Sequence, residues 1–214
     1  MQASATSRRG GWWGIAFVVT LFVSGAMVSL PTARQTGRAI AAFYAAHTGV
    51  ILVQQVLGVV TLAFFLAFAM ALGARRRRAL LAGTVLLAMS ELVTNIVPVI
   101  LALTTPEPDG AHAWTVIEDL ADQALFISIA VFSAAATVAE VGWVRAVGLV
   151  VAAISLLRVV LTLVGVAALD ALAPIAFLIL ILILSVRILM GLSKPPKECP
   201  MTTGFVFSWP ITSA

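Results

Sequence analysis

Four carboxylates, Glu91, Glu118, Asp119 and Asp122, stand inside or at the edge of long apolar runs. An ionised side chain facing hydrocarbon there costs about 2.5–3.5 kcal/mol or more. Such a carboxylate needs a cationic partner, water, a proton or a bound cation, which is why groups of this kind build proton relays and cation paths. The segment "MSELVTNIVP", residues 89–98, poses the case most sharply, because Glu91 is followed one helical turn later by Asn95. A single cation lies at similar depth, Arg158 in "ISLLRVVLTL". A helical rise of 1.5 Å per residue puts Glu91 roughly 18 Å, and Arg158 roughly 20 Å, above the same edge of a roughly 30 Å hydrocarbon layer. Asp122, counted from Trp114 at the opposite edge, falls at about the same level, with Gln54 and Gln55 slightly higher. Gln54, Gln55, Glu91, Asn95, Glu118, Asp119, Asp122 and Arg158 are therefore expected to share one intramembrane polar layer.

Spacing supports an inward-facing arrangement. Thr84, Ala88, Glu91, Thr94 and Asn95 recur at three- and four-residue intervals, as do Ser155, Arg158, Thr162 and Gly165. Each set forms one polar, small-residue stripe, and the insertion cost directs both stripes into a bundle interior. Glu91 is accordingly expected to pair with Arg158. Even so, the other carboxylates outnumber the cation, so some must be wet, protonated or occupied by a cation. This surplus suggests an outward-facing acidic vestibule for transport or sensing of a proton or small cationic solute. The alternative is polar glue that fixes which helices meet, in a noncatalytic membrane partner that stabilises or regulates another protein.

Catalytic constellations are not apparent. The sequence has no HExxH, no GxSxG and no GxxxxGK[ST], the patterns that supply a zinc site, a nucleophile elbow or a phosphate cradle. His47 and His112 fall outside the expected spans and suit surface roles better than ligation. The expectation is a protein that is not an enzyme and has no cofactor and no metal site. Cys199 is the only cysteine, which rules out an intrachain disulfide or a CxxC pair.

The elements that must position these residues are membrane helices. The 214-residue chain is 62% hydrophobic and 10% charged, with mean hydropathy +1.12, far from soluble usage. Six apolar runs, at about 12–30, 50–72, 79–103, 115–138, 144–168 and 171–191, are long enough to span a bilayer. The expected architecture is all-α: a cytoplasmic segment 1–11, a six-helix transmembrane domain 12–191 and a disordered cytoplasmic tail 192–214, broken by Pro195, Pro196, Pro200 and Pro210. The first run follows "SRRGG" and resembles a signal peptide, but the five runs after it favour an uncleaved helix. Residues Ile40 to Ala46 suggest a short interfacial helix laying Ile40, Phe43 and Tyr44 on the bilayer surface. Pro98 is expected to bend the third span, while Gly10, Gly11 and Gly73 look like span punctuation and packing positions.

Charge sets orientation. Arg8, Arg9, the block Arg75 to Arg78, Arg145, Arg187, Lys194 and Lys197 fall on one side of the spans, and Arg34 and Arg38 on the other. Basic residues near span ends resist translocation, so both termini are expected in the cytoplasm. Glu107, Asp109 and Asp170 lie on the outside. The net charge of +4 therefore reflects membrane orientation and not a nucleic-acid surface; the expected partner is the lipid bilayer, and no protein partner can be named from the sequence.

The stretch "AIAAFYAAHTGVILVQQVLGVVTLAFFLAFAMALGARRRR" sets Phe43, Tyr44 and His47 before the second span and a basic turn after it. In these features, and in span number and length, the chain resembles the small bacterial six-span proteins of the domain of unknown function 4386 family, particularly actinobacterial members. The resemblance implies a six-helix bundle in the plasma membrane. It brings no activity and no functional residue, since the family is named for lacking an assigned role.

Overall fold

A computed structural model of the protein describes residues 3–73, 77–104 and 106–192. Residues 193–214 of the expected tail and the arginines Arg75 and Arg76 lie outside the described residues. The fold is all-α, with helices α1 (Ala3–Gly25), α2 (Gly37–Ala71), α3 (Arg78–Thr104), α4 (Pro108–Thr137), α5 (Gly142–Leu163) and α6 (Leu172–Leu189). By length and composition five of them, α2 to α6, are able to cross a membrane. The first is diluted by its polar opening, "SATSRRGG", so a sixth span is not established by these criteria.

Consecutive helices pack as neighbours and α1 closes against α6, giving a ring in chain order. Helix α4 also touches α2 and α6, so it occupies the middle of the bundle. The 26–36 and 164–171 connections and the start of α4 gather at one end, the acidic end, through the hydrogen bonds of Ala33 to Asp119 and Arg34 to Gly165. At the opposite, basic end, Gly10 abuts Ala71 and Ile188. Many outward apolar side chains are exposed, among them Val56, Ile96, Leu120, Leu149 and Ile175, as befits helices in contact with lipid. The core between them centres on Phe17, Phe65, Phe132 and Phe177, from four different helices, with ring centroids 5.0–6.5 Å apart.

The helix ends differ from the apolar runs for local reasons. Thr36 caps α2, its side chain accepting from the Ala39 amide at 3.3 Å. Helix α2 consequently begins well before the apolar run. The expected interfacial helix is fused to it across a kink at His47 (φ −120°, ψ 16°), where the ring stacks on Phe43. Ile40 and Tyr44 do not lie on the bilayer surface: they are 0% and 1% exposed and pack with Val97, Leu101 and Ala111. Being four residues apart they share one face, and a helix nearly in line with α2 turns that face to α3 and α4. Pro98 sits buried inside α3, which continues to Thr104.

Helix α5 stops at Leu163, short of the expected 168. Gly165 takes φ +83°; its amide donates to the Thr162 carbonyl at 3.0 Å and that of Val166 to Leu161 at 2.8 Å. This is the paired-bond glycine termination of a helix, for which a left-handed residue is required. It places Gly165 outside the expected α5 stripe, and it reverses the chain so that Asp170 returns over the end of α5. The rest of the stripes face inward, with Thr84, Asn95 and Ser155 buried.

Candidate functional site

The site is organised by Arg158, whose side chain is 11% exposed. Its Nη2 lies 2.8 Å from Asp122 Oδ2, and its Nε lies 3.3 Å from Asp170 Oδ1. The second contact lacks hydrogen-bond alignment, and Nη1 has no hydrogen-bond partner among the described residues. The guanidinium also covers the Phe126 ring, 3.7 Å from its centroid, a cation–π contact that strengthens where water is excluded. Asp122 and Phe126 are one turn apart on α4, so a single helix face supplies both.

Glu91 is therefore not the partner of Arg158. Its carboxylate accepts from Asn95 Nδ2 at 3.1 Å, and the same amide donates to the Glu91 carbonyl at 2.6 Å. The physical reason is lateral. Helix α4 lies between α3 and α5, which do not touch each other, so Arg158 meets α4 and the returning Asp170 first. Equal depth is not adjacency.

The acids at the start of α4 have partners of their own. Glu118 Oε2 accepts from the Tyr44 hydroxyl at 3.3 Å, and Asp119 Oδ2 from the Ala33 amide at 3.0 Å. Gln54 Nε2 donates to the Ser24 and Val28 carbonyls, both at 3.0 Å, while its buried Oε1 has no partner among the described residues. Gln55 is 7% exposed and its side chain makes no hydrogen bond among the described residues. These contacts fasten the 26–36 connection to α2 and α4 and give the acidic end a defined roof.

Beneath that roof three cavities meet. One, of about 320 Å³, is lined by Gln54, Gln55, Glu91, Asn95, Glu118, Asp119 and Asp122, which is the whole expected layer except Arg158. A second, of about 290 Å³, holds Arg158, Asp119, Asp122, Gln123 and Asp170, with Arg34 also on its wall. The third, also about 290 Å³, contains Glu91, Asp122, Arg158 and Asp170 and is floored by Phe17, Phe65 and Phe177. Asp122 lines all three. Electrostatically the walls are acidic, since Arg158 is the one buried cation among the carboxylates of Glu91, Glu118, Asp119, Asp122 and Asp170. Among the described residues no three His, Cys, Asp or Glu side chains converge as a metal-ligand set.

Sequence reasoning overlooked three participants. Asp170 had the look of a plain outside acid; the signal available was a glycine termination five residues before it. Tyr44, expected at the surface, is 1% exposed. At the basic end, Arg187 Nη2 pairs with Glu140 Oε2 at 3.0 Å with side chains 9% and 11% exposed, so Arg187 is a buried, paired cation. His47 and His112 are exposed and away from the cavities. No family model matches the chain, and comparison with curated proteins and with solved structures yields no match.

Proposed function

We propose that the chain spans the plasma membrane six times, α1 included, with both termini in the cytoplasm, and conducts or senses a proton or small cation through the acidic cavities. The observation that carries this reading is the position of Asp122, paired with Arg158 yet lining all three cavities. A cation arriving from the acidic end meets Glu118 and Asp119, then Asp122. Binding there competes with the guanidinium, which has Asp170 and Phe126 to retain it. Arg158 thus works as a built-in competing cation that releases Asp122 only in exchange for another charge or a proton. Below, the phenylalanine cluster separates the cavities from the basic end, so passage requires a change in helix packing, as expected for gated access.

The test is flux. In sealed liposomes carrying the purified protein, a membrane potential should drive movement of protons, sodium, potassium or small organic cations. Asp122→Asn should abolish that movement while the protein remains monodisperse and folded. Absence of any such flux, or a flux that Asp122→Asn leaves unchanged, would remove the reading.

The second reading is a noncatalytic partner protein, and one observation favours it. Glu118, Asp119 and Asp122 are each tied to a different element of the chain, as polar glue requires. It calls for no flux and for loss of thermal stability in Asp122→Asn.

A further inference from the structure

We propose that the chamber at the centre of the bundle binds a compact organic ammonium, one ring-sized apolar body carrying a primary amine, with the charge held by Glu91 and the body seated on the phenylalanine cluster. The inference rests on reading the acidic cavities as a cation path, and it adds the chemical class of the cation and the residue that takes its charge.

The chamber, of about 290 Å³, draws its walls from all six helices. Its floor is Phe17, Phe65 and Phe177, all buried, so this apolar surface belongs to the interior and not to the lipid face. Above the floor stand Glu91, Asp122, Arg158 and Asp170. An apolar protein cavity of about 150 Å³ holds benzene, so there is room here for one ring and a short arm. A mainly apolar enclosure with a few polar groups gathered at one end is the form of a small-molecule site.

The groups left without partners decide the sign of the guest. Arg158 offers no free donor to the chamber, because Nη2 is on Asp122 and both Nε and Nη1 are buried. Glu91 forms no ion pair among the described residues. One of its oxygens accepts from Asn95, and the other accepts no hydrogen bond among the described residues. Glu91 lines both the chamber and the larger acidic cavity above it, which also share Leu21, Asp122 and Leu125. That upper cavity has a second acceptor in need of a donor. Gln54, 9% exposed, turns its amide nitrogen to the Ser24 and Val28 carbonyls, which fixes Oε1 as the buried atom without a partner. A guest ammonium supplies Glu91 with the counter-charge that Arg158 gives Asp122, at a depth where an uncompensated carboxylate is costly. An anionic guest meets the carboxylates and finds no free donor. A neutral guest fills the floor but leaves Glu91 uncompensated, and a bare inorganic cation satisfies Glu91 but leaves the aromatic floor unused.

The experiment is equilibrium binding of tritiated phenethylammonium to the full-length protein in lipid nanodiscs, with the signal of protein-free nanodiscs subtracted. Saturable binding is expected, competed by unlabelled phenethylammonium but not by equal concentrations of 2-phenylethanol, phenylacetate or methylammonium. Glu91→Gln, which keeps side-chain size and an acceptor for Asn95, should weaken binding about tenfold, the effect of losing a partly desolvated charge contact. Glu91→Asp should retain most of the affinity. Leu125→Phe should fill the chamber and weaken binding similarly at unchanged melting temperature; if that variant melts early, Leu21→Phe fills the same space from α1. Absence of saturable binding, equal competition by the alcohol, the anion or methylammonium, or affinity unchanged in Glu91→Gln or in the folded filling variant would overturn the proposal. Proton, sodium and potassium flux in liposomes is read separately. Such flux without phenethylammonium binding would sink this inference and leave the small-cation reading standing, whereas charge-selective binding without flux of any cation would uphold the site and remove conduction.

Discussion

Arg158 is placed by Asp122 and Asp170, from two different elements, and by an aromatic ring beneath it. Removing one member of such a set leaves the others desolvated without compensation. Arg158→Ala should therefore lower thermal stability in detergent by about 1–3 kcal/mol, less than for a fully buried pair because both acids keep some solvent access. A double-mutant cycle distinguishes the partners. Arg158→Gln with Asp122→Asn should show a coupling of about 0.5–3 kcal/mol, larger than that of Arg158→Gln with Glu91→Gln. Equal couplings, or a stronger one for Glu91, would return Glu91 to the role that its depth alone suggested.

Glycine governs how closely the elements approach. A Cβ at Gly14 of α1 would collide with Ser185 of α6 and Phe68 of α2, and at Gly10 with Ala71. On Gly11 it would meet Leu189 and the Ser185 carbonyl. Gly10, Gly11 and Gly14 form a packing face, the means by which a helix with a polar opening docks between two apolar ones. Gly14→Leu should destabilise the bundle by about 1–3 kcal/mol through overpacking. Gly49→Ala, on α2 with nothing within 4 Å, should be neutral or slightly stabilising, by up to about 1 kcal/mol of helix propensity. Thermal melting of both variants in one detergent makes the comparison; similar losses for the two would mean that α1 is not held by close contact.

At the scale of the molecule, two polar ends flank an aromatic waist. The acidic end carries the cavities and a roof tied down by side-chain hydrogen bonds, whereas the basic end carries the buried pair of Arg187 and Glu140, with the guanidinium 5.9 Å from the Trp143 ring centroid. Arg8, Arg9, the arginine block, Arg145, Arg187, Lys194 and Lys197 outnumber Arg34 and Arg38, an excess that predicts a cytoplasmic basic end. Cys199, the only thiol, reports it: a membrane-impermeant maleimide should label the protein only after cells are opened. Efficient labelling of intact cells would invert the molecule and place the acidic cavities on the cytoplasmic side.

Helix number, the membrane class and the inward direction of the polar stripes were legible in the amino-acid order, because hydrocarbon imposes length and polarity rules that act on each span separately. Glu91, Asp122 and Arg158 line one cavity, in keeping with the common level that helical rise gives them. Adjacency was not legible, since rise along an axis carries no information about which helix stands beside which. With α4 between α3 and α5, the pair at equal depth is kept apart, and Asp122 takes the place assigned to Glu91. The return of Asp170, the burial of Tyr44 and the pairing of Arg187 likewise depend on chain reversals and neighbours remote in sequence. Local spacing can say that a charge needs a partner, but the packing of the bundle chooses which one it meets.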